Sequence, residues 1–223
     1  MKMDKFHILK IVTKVSLKSS LDWSKERFYL KKYKSILAID EAGRGSLAGP
    51  LSIGAILINK EIVDSLKEKR IFPLDSKKLR PREREVFYKV IKKEGVLHKH
   101  IFISSLKIDR LGIQNAFILG IKKLIEFFEP EMVFLDGLKP KELKNKSIKS
   151  FVKGDERLAS IALASIVAKL KRDKYMEKIA KFYPGYSFEI HKGYGTKLHL
   201  EKIKKLGPCK IHRLSFLNKI KYK

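Results

Sequence analysis

The chain has 223 residues, 44% of them hydrophobic, which suits one domain with a sizeable core and excludes a disordered polymer. Lysine and arginine total 51 against 24 acids, a formal charge of +27 that exceeds what solubility needs and points to a polyanion, nucleic acid first and an anionic membrane second. The one cysteine, Cys209, excludes an internal disulfide and thiolate zinc sites, and no apolar run is long enough for a transmembrane helix.

Taken in chain order, residues 1–34 are lysine-rich and weakly patterned, with one short helix expected in "SLDWSKERFYLKKY". The start is interrupted by charges every few residues and lacks a signal-peptide core, so the expectation is a soluble cytoplasmic protein. "SILAIDE" (35–41) and "LSIGAILIN" (51–59) are dense in Ile, Leu and Ala and read as adjacent strands around a glycine turn. Pro81 marks a helix start and Gly95 lies past its end. "LHKHIFISS" (97–105) alternates as a third strand. Apolar residues at helical spacing (Ile113, Phe117, Leu124, Phe128) predict one amphipathic helix over 109–129. "EMVFLDG" (131–137) and "SIKSFVKGD" (147–155) are short strands, each ending in an acid. A long helix is expected over roughly 155–182, its first half rich in Ala and Ser, which lets a helix lie close against a sheet. A loop, a helix and a tail follow. Strands first in a meander, then alternating with helices, give an α/β or α+β domain of three layers with a mixed sheet.

Three strand-like segments end in a carboxylate: Asp40, Asp136 and Asp155, with Glu41 beside the first. Ligand sites of open α/β sheets gather at strand ends. Taken singly, Asp136 reads as a turn residue and Asp155 as a helix cap. Together, in so basic a chain, four carboxylates need a cation between them. Lysines are one source; Mg²⁺ or Mn²⁺ is the other, because the donors are oxygens, Cys is lacking and His191, His199 and His212 match no zinc spacing. Two such ions support in-line attack on a phosphodiester. Asp173 competes with Asp155, but a continuous helix would separate the two by roughly 27 Å, and Lys169 at i−4 offers Asp173 an ordinary ion pair. The glycines of "AIDEAGRGSLAGP" (38–50) fit neither the dinucleotide fingerprint nor a P-loop.

That stretch, with "DSKKL" (75–79), "FLDG" (134–137), "KGD....SIALASIVAKLKRD" (153–173) and "HKGYGTKLH" (191–199), resembles ribonuclease HII, the type 2 ribonuclease H family, over about residues 35–216. The resemblance implies a ribonuclease H-like fold, a central mixed sheet flanked by helices with a C-terminal helical segment. It divides the chain into a basic extension (1–34) and a catalytic domain (35–223). It implies an endonuclease that cuts the RNA strand of RNA–DNA hybrids and cleaves 5′ of ribonucleotides embedded in duplex DNA, leaving 3′-hydroxyl and 5′-phosphate ends with Mg²⁺ or Mn²⁺. The metal-binding and catalytic acids then fall on Asp40, Glu41, Asp136 and Asp155. Gly43, Arg44 and Gly45 take the contact with the ribose 2′-hydroxyl, Tyr194 the sugar beyond the cut, and Lys77 a phosphate. A monomer is implied, and no clamp-binding tail is evident in "FLNKIKYK". Leu163 replaces the family's usual Ala, a packing difference. The 34 leading residues are too few for the N-terminal domain of the sister family, ribonuclease HIII.

Two other readings stay open at this point: a catalytically degenerate duplex-binding protein, against which all four acids stand, and another ribonuclease H-like nuclease such as a resolvase or transposase.

Overall fold

The computed structural model describes residues 5–138, 140–143 and 147–218. Five strands form one sheet in the order β3-β2-β1-β4-β5, with β1 at Ile36–Ala42, β2 at Leu51–Ile58, β3 at Leu97–Ile103, β4 at Met132–Asp136 and β5 at Ile148–Phe151. The first three strands form an antiparallel meander, and β1, β4 and β5 run parallel. The sheet is therefore mixed, as the strand pattern predicts.

Helices cover both faces. On one face lies α7 (Ala159–Ala180), with α4 (Pro81–Lys93) beside it. The small residues of α7 do what their size allows. A Cβ at Gly54 on β2 would stand 2.5 Å from the Ala164 carbonyl oxygen and 2.6 Å from the Ala168 nitrogen. Helix and sheet are in backbone contact there, so position 54 tolerates no side chain. The other face packs Leu37, Ile39, Ile53 and Leu135 against Phe117, Ile121 and Leu124 of α6 (Ile113–Phe128).

Two helices differ from the sequence expectation. The span 109–129 is not one helix but α5 (Ser105–Leu111) followed by α6, broken at Gly112 with φ +75, a left-handed conformation that glycine adopts without strain. The apolar spacing carries across the break, which is why periodicity misses it. The long helix begins at Ala159 rather than near 155, because residues 154–156 form a 3₁₀ turn entered through Lys153 at φ 54. Asp155 is thus no helix cap; it sits in the turn.

The N-terminal segment forms α1 (Lys5–Ser16), which the sequence reading leaves unassigned, and α2 (Ser24–Tyr29). Val12, Val15, Leu21, Trp23 and Leu30 are buried in the same cluster as α4 and α7. Trp23 Nε1 donates to the Ile71 carbonyl at 3.0 Å, and Ser19 Oγ to Pro73 O at 2.6 Å. From α2, Glu26 reaches the start of α7, where its Oε1 accepts from Ser160 N at 2.8 Å and Ser160 Oγ at 2.7 Å. Helix α7 has no capping side chain of its own. Glu26 supplies the acceptor its first turn lacks.

Candidate active site

Parallel pairing of β1 with β4 ends at Ile39–Leu135. The next residues are Asp40 and Asp136, so two carboxylates emerge together at the carboxyl ends of the two central parallel strands. Asp40 is 4% exposed. Its Oδ1 accepts from the Glu41 amide at 2.7 Å. Asp136 Oδ1 accepts from Gly154 N at 2.6 Å, which ties β4 to the 3₁₀ turn and brings in Asp155, itself buried.

Burial raises the Asp40 carboxyl well above the usual range, and the charges of Glu41 and Asp136 push it further; the Ser165 hydroxyl from α7 and the Glu41 amide pull it back. Burial also raises Glu41, with Arg44 opposing and Asp136 adding to it. Asp136 rises through burial, against the Gly154 hydrogen bond and with the charge of Asp155. All three carboxyls are raised chiefly by burial, and their mutual repulsion is only partly offset by the cations at hand. Lys77 offsets part of it, with Nζ 3.1 Å from Asp155 Oδ2. The loop expected to touch phosphate thus also holds a carboxylate. Arg44 Nη1 lies 3.5 Å from Glu41 Oε1, its Nη2 donates to Gln114 Oε1, and the guanidinium sits 5.0 Å over the Phe117 ring. Asp173 stays outside, paired with Lys169 at 2.8 Å and Arg84 at 3.3 Å.

The donor set is all oxygen, with Asp40 and Asp155 buried and Glu41 and Asp136 half-buried, and four acids face only two cations, Lys77 and Arg44, which fits a hard divalent ion. No group of three Asp, Glu, His or Cys among the described residues closes into a ready-made ion cage. That suits Mg²⁺-type sites, which rely on one or two carboxylates and complete their shell with water and substrate phosphate.

The glycine turn lies against a second loop. Leu47 N and Ala48 N donate to the Gly193 carbonyl at 2.8 and 3.2 Å, which locks residues 43–50 to the loop that carries Tyr194. Two fully buried arginines sit beneath. Arg172 donates to the carbonyls of Ala48, Pro50 and Lys192 at 3.1, 3.0 and 2.9 Å and lies 5.1 Å from the Tyr194 ring centre. Arg213 donates to those of Arg44 and Gly49 at 2.8 and 3.1 Å. Among the described residues, the Arg44 and Gly45 amides have no hydrogen-bond partner, and Gly45 is exposed. Glu41, Arg44, Gln114, Phe117 and Asp136 line one cavity of about 560 Å³. A larger cavity, about 740 Å³, opens around Trp23, Arg27 and Lys60, away from the four acids.

Histidines support the second loop. His191 stacks on His199 with ring centres 4.1 Å apart. His212 Nδ1 accepts from Cys209 N at 2.9 Å, so its proton lies on Nε2, facing His199 Nε2 at 3.1 Å. His199 then donates from Nδ1 to the Tyr194 carbonyl at 2.9 Å. The sequence reading missed Ser165, Gln114, Arg172 and Arg213. None of the four is marked in the sequence: Arg172 sits among Lys169, Lys171 and Lys174 in the charged half of α7.

A mixed five-strand sheet with carboxylates at the ends of its central parallel strands defines a nuclease of the ribonuclease H-like class. The fold matches ribonuclease H2 from Pyrococcus horikoshii OT3 (TM-score 0.65, 26% identity, 83% of this chain and 96% of that one). It also matches the ribonuclease HII of a PCNA complex from Archaeoglobus fulgidus (TM-score 0.68, 22% identity, 84% and 97%), which bears on fold alone. In sequence, the family model for Ribonuclease HII matches residues 37–219. The curated ribonuclease HII of Caldicellulosiruptor bescii is 42% identical over 87% of this chain and 92% of its own, and that of Fusobacterium nucleatum 43% identical over 86% and 90%. The chain belongs to the ribonuclease HII family, the divalent-metal-dependent hydrolases that act on RNA–DNA hybrids. Among the described residues no helix is long and apolar enough to cross a membrane.

Proposed function

We propose that this ribonuclease cuts not only hybrids but also duplex DNA carrying a single ribonucleotide, on its 5′ side, as a monomer. The observation that carries the reading is the shared cavity: Asp136 and Glu41 line the same space as Arg44, next to the outward amides of the 43–45 turn. Asp40, Glu41, Asp136 and Asp155 would hold two divalent ions, Mg²⁺ or Mn²⁺, which would supply charge neutralisation of the carboxylates, acidification of the attacking water and stabilisation of the leaving oxygen.

The chain's own groups do the rest. The amides of Arg44 and Gly45 and the Arg44 guanidinium address the ribose 2′-hydroxyl, the group that separates RNA from DNA. Tyr194 presents its ring to the sugar beyond the cut, held from behind by Arg172. Lys77 keeps Asp155 turned into the cluster and lies within reach of a phosphate. Water oxygen bonds to phosphorus as the bond to the 3′ oxygen breaks, which leaves a 3′-hydroxyl and a 5′-phosphate.

The test is cleavage of a labelled DNA duplex holding one ribonucleotide, with Mg²⁺, Mn²⁺ or EDTA. A single metal-dependent cut 5′ of the ribonucleotide is expected. Cleavage of a ribonucleotide run but not of the single one would reject the single-ribonucleotide role and keep the hybrid nuclease.

A further inference from the structure

We infer that Arg172 and Arg213 are positioning residues for ribose selection, an inference that rests on the proposed role of the 43–45 turn. Both are fully buried, and neither makes an ion pair among the described residues. Arg213 Nη2 has no partner among them at all. An unpaired buried charge is costly, so these two are poor choices for stability alone. What they deliver is orientation. Four carbonyls of one turn (Arg44, Ala48, Gly49, Pro50) and one of the facing loop (Lys192) converge on two planar forks.

Peptide planarity turns this into a statement about the substrate face. In a trans peptide the carbonyl of one residue and the N–H of the next point in opposite directions. Arg213 draws the Arg44 carbonyl inward at 2.8 Å. The Gly45 N–H must then point outward, where it has no protein partner among the described residues and is open to a ribose oxygen. Arg172 performs the equivalent task for the other loop, holding Lys192 O and underlying the Tyr194 ring. The turn is fitted to this guanidinium: a Cβ at Gly43 would stand 1.9 Å from Arg172 Nε.

Arg213→Lys and Arg172→Lys keep the charge and lose the fork. Each would be compared with wild type by thermal melting, by affinity for an all-DNA duplex, and by cleavage of the single-ribonucleotide duplex. The expected result is a folded variant with a lowered melting point, since buried carbonyls lose their donors, with unchanged DNA affinity and ribonucleotide cleavage down by about 10²-fold, the scale of a small misplacement at a reacting centre. Wild-type cleavage in a folded variant overturns the assignment. So does a loss of DNA affinity in the same proportion as cleavage, or a variant that fails to fold, since either makes the arginine a fold-holding residue. Failure of wild type on the single-ribonucleotide duplex would instead strike the functional reading itself.

Discussion

Lys77 and Asp155 meet at 3.1 Å although both sit in loops, one before α4 and the other before α7. The ammonium occupies a carboxylate oxygen that a divalent ion would use. Lys77→Met should therefore lower the Mg²⁺ concentration for half-maximal cleavage. The Lys77 side chain is largely exposed, so the pair is worth about 0.2–1 kcal/mol, an effect of up to about fivefold. A Mg²⁺ titration of hybrid cleavage decides it. An unchanged Mg²⁺ requirement would mean that the pair with Asp155 does not compete with the ion, and a raised substrate KM would leave Lys77 its phosphate contact alone.

Neutralising an acid of the cluster should trade activity for stability. Asp40→Asn and Asp136→Asn remove charges that burial and neighbouring carboxylates already disfavour. Without metal, each variant should melt at or above wild type, by about 2–4 °C for each kcal/mol of repulsion relieved. Cleavage should fall to background in the same samples. Wild-type turnover in either would sink the site assignment.

Tyr194→Ala should reduce cleavage at an RNA-to-DNA junction more than cleavage of a uniform hybrid, by about 1–3 kcal/mol if the ring stacks on the sugar. Tyr194→Phe keeps the ring over Arg172 and should be close to wild type. Equal losses on both substrates would reduce Tyr194 to a loop support.

Acid should weaken the fold through the histidines. Burial, with the neighbouring His191 charge for His199, pushes His199 and His212 down to about 4. Protonating His199 would place a second N–H against the one that His212 already directs at it. The unfolded chain takes up these protons near pH 6.5, so between about 6.5 and 4 it binds more protons than the native state. Stability should be full above that window and fall as pH drops through it. Urea midpoints measured across the window should show the slope, and His199→Gln should flatten it.

Glu26 should prove structural. Its carboxyl is raised by burial, against the Ser160 hydrogen bonds, and its Oε2 has no partner among the described residues. Glu26→Gln keeps an acceptor for Ser160 and should be tolerated. Glu26→Ala orphans the first turn of α7 and should cost about 1–3 kcal/mol by denaturant titration. Equal stability of the two would mean that the cap is idle.

Asp40 and Asp136 were legible because they lie at the ends of the apolar runs "ILAID" and "VFLD", which sheet geometry gathers; Asp155 follows "SFVKG" four residues past the end of β5 and is brought in by the 3₁₀ turn. The five strands followed from the same runs. The break at Gly112 was not legible, since its flanks share one helical period and only the backbone reveals the left-handed step. The support of the turn was hidden for another reason. Arg172 and Arg213 act on backbone carbonyls, which any sequence supplies, so no side-chain pairing marks them. Glu26 was hidden likewise, as its partner is the first turn of a helix far along the chain.

The pairing of β1 with β4 also sets a timetable. Asp40 lies in a meander of local contacts, which forms quickly. Asp136 reaches it only after two further strands and four helices have been laid down, and Asp155 later still. Until Asp155 has been made and β4 has paired with β1 the set of four acids is incomplete, so the site assembles only with the last third of the polypeptide.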